Sequence, residues 1–460
     1  MSRMEIFICD RKMTREYYEM DENHLSFRAV MTEEFQFDSL LPGQCHDVSR
    51  IPNSVIAKAL SWQRTRASKA EDPFFREFSA EFIHGFQEEM NRFATASRPS
   101  RLRAAFGAGS KLRSGWHAVQ CFPFALRVIA RLTTYSLFGG MLCRNIEFLD
   151  LCCQFGDAIP RDALILRAWP KFTRPYISKI LTAPKLVKKL QDIILNEIHR
   201  RRSSREFNPM KDLLDFAINW VDGHRRQYND WHVSDMMTNT IFAALHTSSQ
   251  LVVHCLFELA TRPEYWDPLR EEVEQCFKEH GEGAKRAIDS MYKMDSFIKE
   301  TQRTNPLDAS ALARMALKEY TFSNGLRIPK GSVIFTPNSP LFADEKFYPN
   351  PENFDGFRFE KMRNDPELGS SCDLTSTSEH SMHFGIGRHA CPGRFMVSDE
   401  VKLAIIYLLQ NFDFCMEDHS RRPKNVAFGK FILPDMNAKV WLRETTQRNG
   451  LGEKAETVTA

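Results

Sequence analysis

The chain has 460 residues, 43% hydrophobic and 26% charged, the balance of an ordinary globular protein able to bury a large core. Against 59 acidic residues stand 62 lysines and arginines, and the resulting net charge of +3 is too small to point to nucleic acid. The 11 cysteines, an odd number without framework spacing, argue against a disulfide-stapled fold and for a reducing compartment.

Residues 1–20 form an N-terminal segment without the apolar stretch of a signal peptide. No apolar run of about 18 residues occurs anywhere, so no transmembrane helix is expected. Residues 21–446 read as one large, mainly α domain with a small β region, and the polar residues 447–460 as a disordered tail. Within the domain, Ala94 to Ser114 and Arg363 to Ser381 are polar loops. The basic cluster His199 to Arg202 with Arg205 reads as the solvated end of a helix.

Trp231 to Ala260 predicts one long helix, about 45 Å at 1.5 Å per residue. In its middle, Phe242, Ala243, Ala244, His246 and Thr247 place small residues beside a hydroxyl that can bond the carbonyl four residues back and bend the helix. Glu300 and Arg303 stand at i and i+3 of another helix, a pair worth well under ~1 kcal/mol when exposed. Lys318 to Pro337 carries the strand and turn signals, including Phe322-Ser-Asn-Gly325 and Pro329-Lys-Gly331.

The densest signal follows at Phe384-Gly385-Ile386-Gly387-Arg388-His389-Ala390-Cys391-Pro392-Gly393. Its glycines permit positive φ and close approach to a flat ligand. Arg394 to Gln410 then reads as a helix with apolar Phe395, Val401, Ile405, Leu408 and Leu409. Cys391 therefore precedes a helix N-terminus, where free N–H groups favour a thiolate. A zinc site from His380, His383, His389 and Cys391 lacks paired ligand spacing, and the other cysteines read as small buried hydrophobes.

The cysteine loop resembles the signature of the cytochrome P450 family, and the likeness extends over residues 20 to 445. Thr134 to Asn145 is similar to a "VFVG-x-x-LCRN" stretch of fungal members, and the loop looks most like fungal enzymes that oxidise terpenoid or mixed-terpenoid metabolites. The resemblance implies haem b with Cys391 as axial thiolate, and Phe384, Gly385, Gly387, His389 and Gly393 around it. It makes His389 and Arg314 propionate contacts. It turns Glu300 and Arg303 into the family's ExxR pair, with Arg358 of Asn353-Phe-Asp-Gly-Phe-Arg-Phe359 as third partner, although Gly356 stands where a proline is usual. Thr247 matches the oxygen-activating threonine, while His246 replaces an acidic residue; it either relays protons or merely packs. Phe242, Ala243, Ala244, Leu307, Leu312, Phe431 and Ile432 match the pocket for a hydrophobic small molecule.

The family's activity is monooxygenation with O2 and electrons from NADPH passed on by a reductase. A haem-thiolate isomerase that needs no reductase, and a haem-binding protein without activity, are the alternatives. The family's eukaryotic members usually begin with an anchor helix at the endoplasmic reticulum. The sequence is thus expected to lack its original start, the remainder being soluble or peripheral at that membrane.

Overall fold

The computed structural model describes residues 4–41, 51–69, 73–96, 115–204, 210–416 and 421–445. The tail from 447, Arg205 and all but the first three residues of the 94–114 loop lie outside them.

The predicted long helix runs Asp230–Thr261 through the middle of the main core. Asn229 starts it: its side chain accepts from the N–H groups of Trp231 and His232, pairing two donors that a helix end leaves free. By length and composition this is one helix able to cross a membrane, but 67% of its most apolar window is buried inside the protein, so its apolarity serves the core. Around it pack Cys121–Phe138, Ile146–Arg167, Ala183–Ser203, Tyr292–Thr304 and Arg394–Asn411. All but two residues of Cys121–Phe138 are buried, as a helix apolar on all sides requires.

The β structure is divided among several small sheets. The four-stranded sheet has the order Glu5–Phe7, Val333–Pro337, Ser310–Ala316, Leu25–Ser26, with the first pair parallel and the others antiparallel. A bulge between Ala311 and Arg314 breaks the register, and Leu312 there takes φ = 55°, a costly backbone state for a branched residue. The hairpin Val426–Phe428 with Phe431–Leu433 is tied to the core by Arg422, which donates to Glu258 at 2.6 Å, and by Asn425, which donates to Asn305 at 2.9 Å.

Two expectations need correction. The cluster near His199 is only partly solvated: Arg201, at the last turn of Ala183–Ser203, pairs with Glu197, Asp212 and Asp215, and Arg202 pairs with Asp222 and Asp230. Acidic residues from three later or adjacent segments converge there, which local composition does not reveal. Among the cysteines, Cys9 is exposed and Cys153 and Cys415 are half-buried.

Candidate active site

Cys391 sits between a short turn at Gly387–His389 and the helix Arg394–Asn411. Its N–H donates to the Phe384 carbonyl at 2.7 Å, closing the loop on itself. Gly385 makes that possible: its φ is +68°, and a Cβ there would lie 3.2 Å from the His389 carbonyl oxygen. The Arg394 guanidinium donates to the Cys391 carbonyl at 2.8 Å and to Thr375 at 3.1 Å. Burial raises the Cys391 thiol above its ordinary pKa, outweighing the N–H groups of Gly393 and Arg394 and the Arg394 charge, which act the other way. The helix start alone therefore does not yield the thiolate expected from sequence. The backbone N–H groups are aimed at the sulfur, but a cation must complete the ionisation.

Glu300 is fully buried. Arg303 grips it with two parallel bonds of 2.8 Å, and Arg358 Nε lies 3.1 Å and 3.2 Å from its two oxygens. The Asp355 N–H adds a fourth donor at 3.0 Å. The arginines in turn donate to the carbonyls of Phe342, at 2.8 Å, and Asn353, at 2.9 Å, which hydrogen-bonds their remaining N–H groups. Gly356 fits this chain better than proline: its N–H donates to Tyr265 Oη at 3.0 Å, and a Cβ would stand 2.6 Å from the Tyr265 ring.

The bulge in Ser310–Ala316 sets the position of Arg314, which is 1% exposed. Only its Nη1 is bonded, to the Ala313 carbonyl at 2.8 Å; Nε and Nη2 are buried without a partner. His389 Nε2 is buried and equally without a hydrogen bond, with Glu22 3.5 Å away. The pKa of His389 is lowered, first by burial and then by the Arg314 charge, so the two side chains sense one another.

In the middle of the buried Asp230–Thr261 helix, Ala243 and Thr247 are exposed, which opens a cleft inside the core. Thr247 Oγ1 donates to the Ala243 carbonyl at 3.1 Å. His246 reaches across to Ile146–Arg167, where its Nε2 lies 2.8 Å from Asp157 Oδ1; Gly156 leaves the room, since a Cβ there would be 2.2 Å from the ring. Phe242 packs edge-on against Phe35 at 5.1 Å and Phe37 at 5.7 Å, with Phe155 at 6.1 Å; Phe431 meets Phe35 at 6.1 Å. Leu307 accepts from the Ile432 N–H at 3.1 Å, joining the hairpin to this cleft. Leu312 does not line it: the bulge turns that side chain into a separate core with Ile8, Tyr17 and Met382. Among the described residues no group of three metal-binding side chains assembles, so the zinc arrangement does not form.

The family model for cytochrome P450 matches residues 62–442. The chain belongs to the cytochrome P450 family. It is 68% identical to the cytochrome P450 monooxygenase terQ of Tolypocladium album over 448 residues, 97% of this chain and 81% of that one. To ltmQ of Epichloe festucae var. lolii it is 66% identical, covering 97% and 84%, and to janQ of Penicillium janthinellum 38%, covering 97% and 85%. The structure resembles a retinoic acid-bound cyanobacterial CYP120A1 with a TM-score of 0.65 at 16% identity, over 95% of this chain and 89% of that one. That likeness concerns the fold.

A cytochrome P450 monooxygenase binds haem b through a cysteine thiolate, and the residues here suit that group. Arg314 is cationic with two buried N–H groups unpaired, and His389 Nε2 stands unpaired beside it, a pattern that calls for an anionic partner such as the two haem carboxylates. The N–H groups of Gly393 and Arg394 already face the sulfur.

Several site residues escape sequence reasoning. Phe35 and Phe37 complete the aromatic wall from distant segments, and the fully buried Phe155 backs Phe242. Arg64, on the earlier helix Asn53–Ala67, stacks 3.6 Å over Phe395 beside Pro392. Glu400 is fully buried where the cysteine helix meets the long helix, and it accepts from Thr133 at 2.8 Å. A carboxylate within the apolar stripe beside Val397 and Val401 is the signal that marks it.

Burial moves the Glu400 pKa from 4.5 up to about 8, against the Thr133 hydrogen bond, which lowers it. The folded state thus keeps a proton that the unfolded chain releases above pH 4.5, so stability falls as pH rises from 4.5 to about 8. Glu400→Gln removes this loss. Urea unfolding at pH 5 and pH 8 should show the mutant gaining on wild type at the higher pH, by up to about 1.4 kcal/mol per pH unit. A difference independent of pH would mean that Glu400 is ionised in the fold.

Proposed function

We propose that the protein oxidises a hydrophobic terpenoid-type molecule in fungal secondary metabolism, using O2 and electrons that NADPH delivers through a cytochrome P450 reductase. One observation carries this reading: an aromatic cleft opens at Ala243 and Thr247 in the core that also takes in Phe384 of the cysteine loop, and the unpaired donors of His389, on that loop, and of Arg314 stand together.

Cys391 would hold the haem iron through its sulfur, and its raised pKa means that binding would release the thiol proton. Arg314 and His389 would hold the carboxylates. Glu300, Arg303 and Arg358 form the rigid joint below the loop. Phe242, Ala243, Ala244, Leu307, Phe431 and Ile432 keep the cleft apolar and exclude water. When bound, haem supplies the splitting of dioxygen, with one atom entering substrate and the other leaving as water. Thr247 presents its hydroxyl to the cleft and holds a water where protons are consumed. Thr247→Ala should keep its haem but divert most NADPH oxidation away from product, about tenfold. Equal product per NADPH in mutant and wild type would remove this role.

His246 contributes through Asp157, whose carboxylate is 57% exposed and connects the ring to solvent. An isomerase would make product without NADPH; strict dependence on NADPH and reductase in a reconstituted assay supports the monooxygenase. Equal yields without NADPH would replace it.

We place the protein at the cytosolic face of the endoplasmic reticulum by a peripheral contact. Between Ile146–Arg167 and Ala183–Ser203, Trp169, Phe172, Tyr176 and Ile180 are exposed, the last three by 73–78%, with Lys171 and Lys179 among them. Apolar rings with interleaved lysines suit an anionic lipid surface. Phe172→Asp with Ile180→Asp should weaken sedimentation with phosphatidylserine-containing vesicles about tenfold. Unchanged sedimentation would move the contact elsewhere.

A further inference from the structure

The aromatic cleft has one polar corner. Lys430, at the tip of the hairpin Val426–Leu433, holds its ammonium 5.4 Å from the Phe431 ring and 5.5 Å from Phe335. Two carboxylates face it, Glu34 at 3.6 Å and Asp308 at 3.7 Å, both beyond hydrogen-bond reach. The lysine side chain is only 20% exposed, and among the described residues its three N–H donors have no hydrogen-bond acceptor. The carboxylates are held in place independently. Asp308 accepts from Ser310 N–H at 3.0 Å and Ser310 Oγ at 3.2 Å, while Arg167 donates to the other oxygen of Glu34 at 3.4 Å. Each of the three charged residues adjoins a cleft residue in sequence: Glu34 precedes Phe35, Asp308 follows Leu307, and Lys430 precedes Phe431.

A half-buried ammonium whose neighbours stop short of bonding it gains most from an acceptor inserted between them. We propose that Lys430, set by Asp308 and Glu34, is a clasp for an oxygen substituent on an otherwise hydrocarbon polycycle. The clasp takes a hydroxyl or ketone: the oxygen accepts from Lys430, and a hydroxyl also donates to Asp308 or Glu34. The rings lie against Phe35, Phe242 and Phe431, so the clasp fixes which end of the substrate meets the haem. The substrate of this enzyme then already carries one oxygen, which an earlier oxygenation must supply. This inference rests on the cleft being the substrate pocket.

The test uses the haem-loaded full chain and two tricyclic diterpenes, abietadiene and its 18-alcohol, each titrated while the Soret spin-state shift is followed. Wild type should bind the alcohol about tenfold more tightly than the hydrocarbon. Lys430→Met should lose that preference with hydrocarbon affinity unchanged, and Lys430→Arg should restore it. Equal affinities in wild type, or a preference that survives in Lys430→Met, would overturn the clasp while leaving the pocket intact. A wild type that responds to neither diterpene, yet shows the thiolate–carbon monoxide band, would overturn the pocket reading and the clasp together. Should Lys430→Met fail to take up haem, the wild-type comparison alone decides.

Discussion

Cys391→Ser is expected to abolish the strongly red-shifted Soret band of the dithionite-reduced, carbon monoxide-treated protein. A serine hydroxyl fits the same loop, because the bond from the Cys391 N–H to Phe384 and the turn at Gly385 use only backbone. It offers iron a hard, poorly ionised oxygen in place of a soft thiolate, so the chemistry is lost while the fold persists. The contrast matters because burial raises the Cys391 pKa, so a bound iron would be what stabilises the sulfur as thiolate. A mutant retaining the full red-shifted band would show that another residue ligates the haem. A histidine-type band in wild type would favour the alternative of a haem-binding protein without activity.

Glu300→Ala is expected to give protein without haem and with a loss of about 3–5 kcal/mol of stability. The size follows from what remains behind. Arg303 and Arg358, 4% and 6% exposed, would be left as two buried charges whose carboxylate is gone. Their bonds to backbone carbonyls of Phe342 and Asn353 cannot neutralise them. The same carboxylate also receives the Asp355 N–H, so the segment that carries Arg358 loses its anchor. Haem content by pyridine haemochrome, beside the urea midpoint, measures both effects. Normal haem content and an unchanged midpoint would mean that the joint plays no structural part. The pair at i and i+3 looks like a surface salt bridge from spacing alone; burial converts a fraction of a kcal/mol into one of the most costly sites to break.

The sequence by itself determined what depends on local order. A cysteine framed by glycines and Pro-Gly, a helix of apolar residues with one small-residue turn, and an acid and a base at helical spacing were all readable. Each is a short-range pattern with one physical meaning. The structure bears out a mainly helical cytochrome P450 fold, and it places Glu300, Arg303 and Arg358 in a single contact.

Only the tertiary structure decided what depends on which distant segments meet. Leu312 leaves the pocket because a bulge, invisible in composition, redirects it and aims Arg314 instead. Gly356 is no defect, because Tyr265 from 91 residues away fills the place of a side chain. His246 acquires Asp157 from a neighbouring helix, and burial among the packed helices raises the Glu400 pKa. The Cys391 pKa is raised because burial, a property of the whole packed chain, outweighs the local helix start. Desolvation and long-range pairing are sums over the finished fold, so no window of sequence contains them.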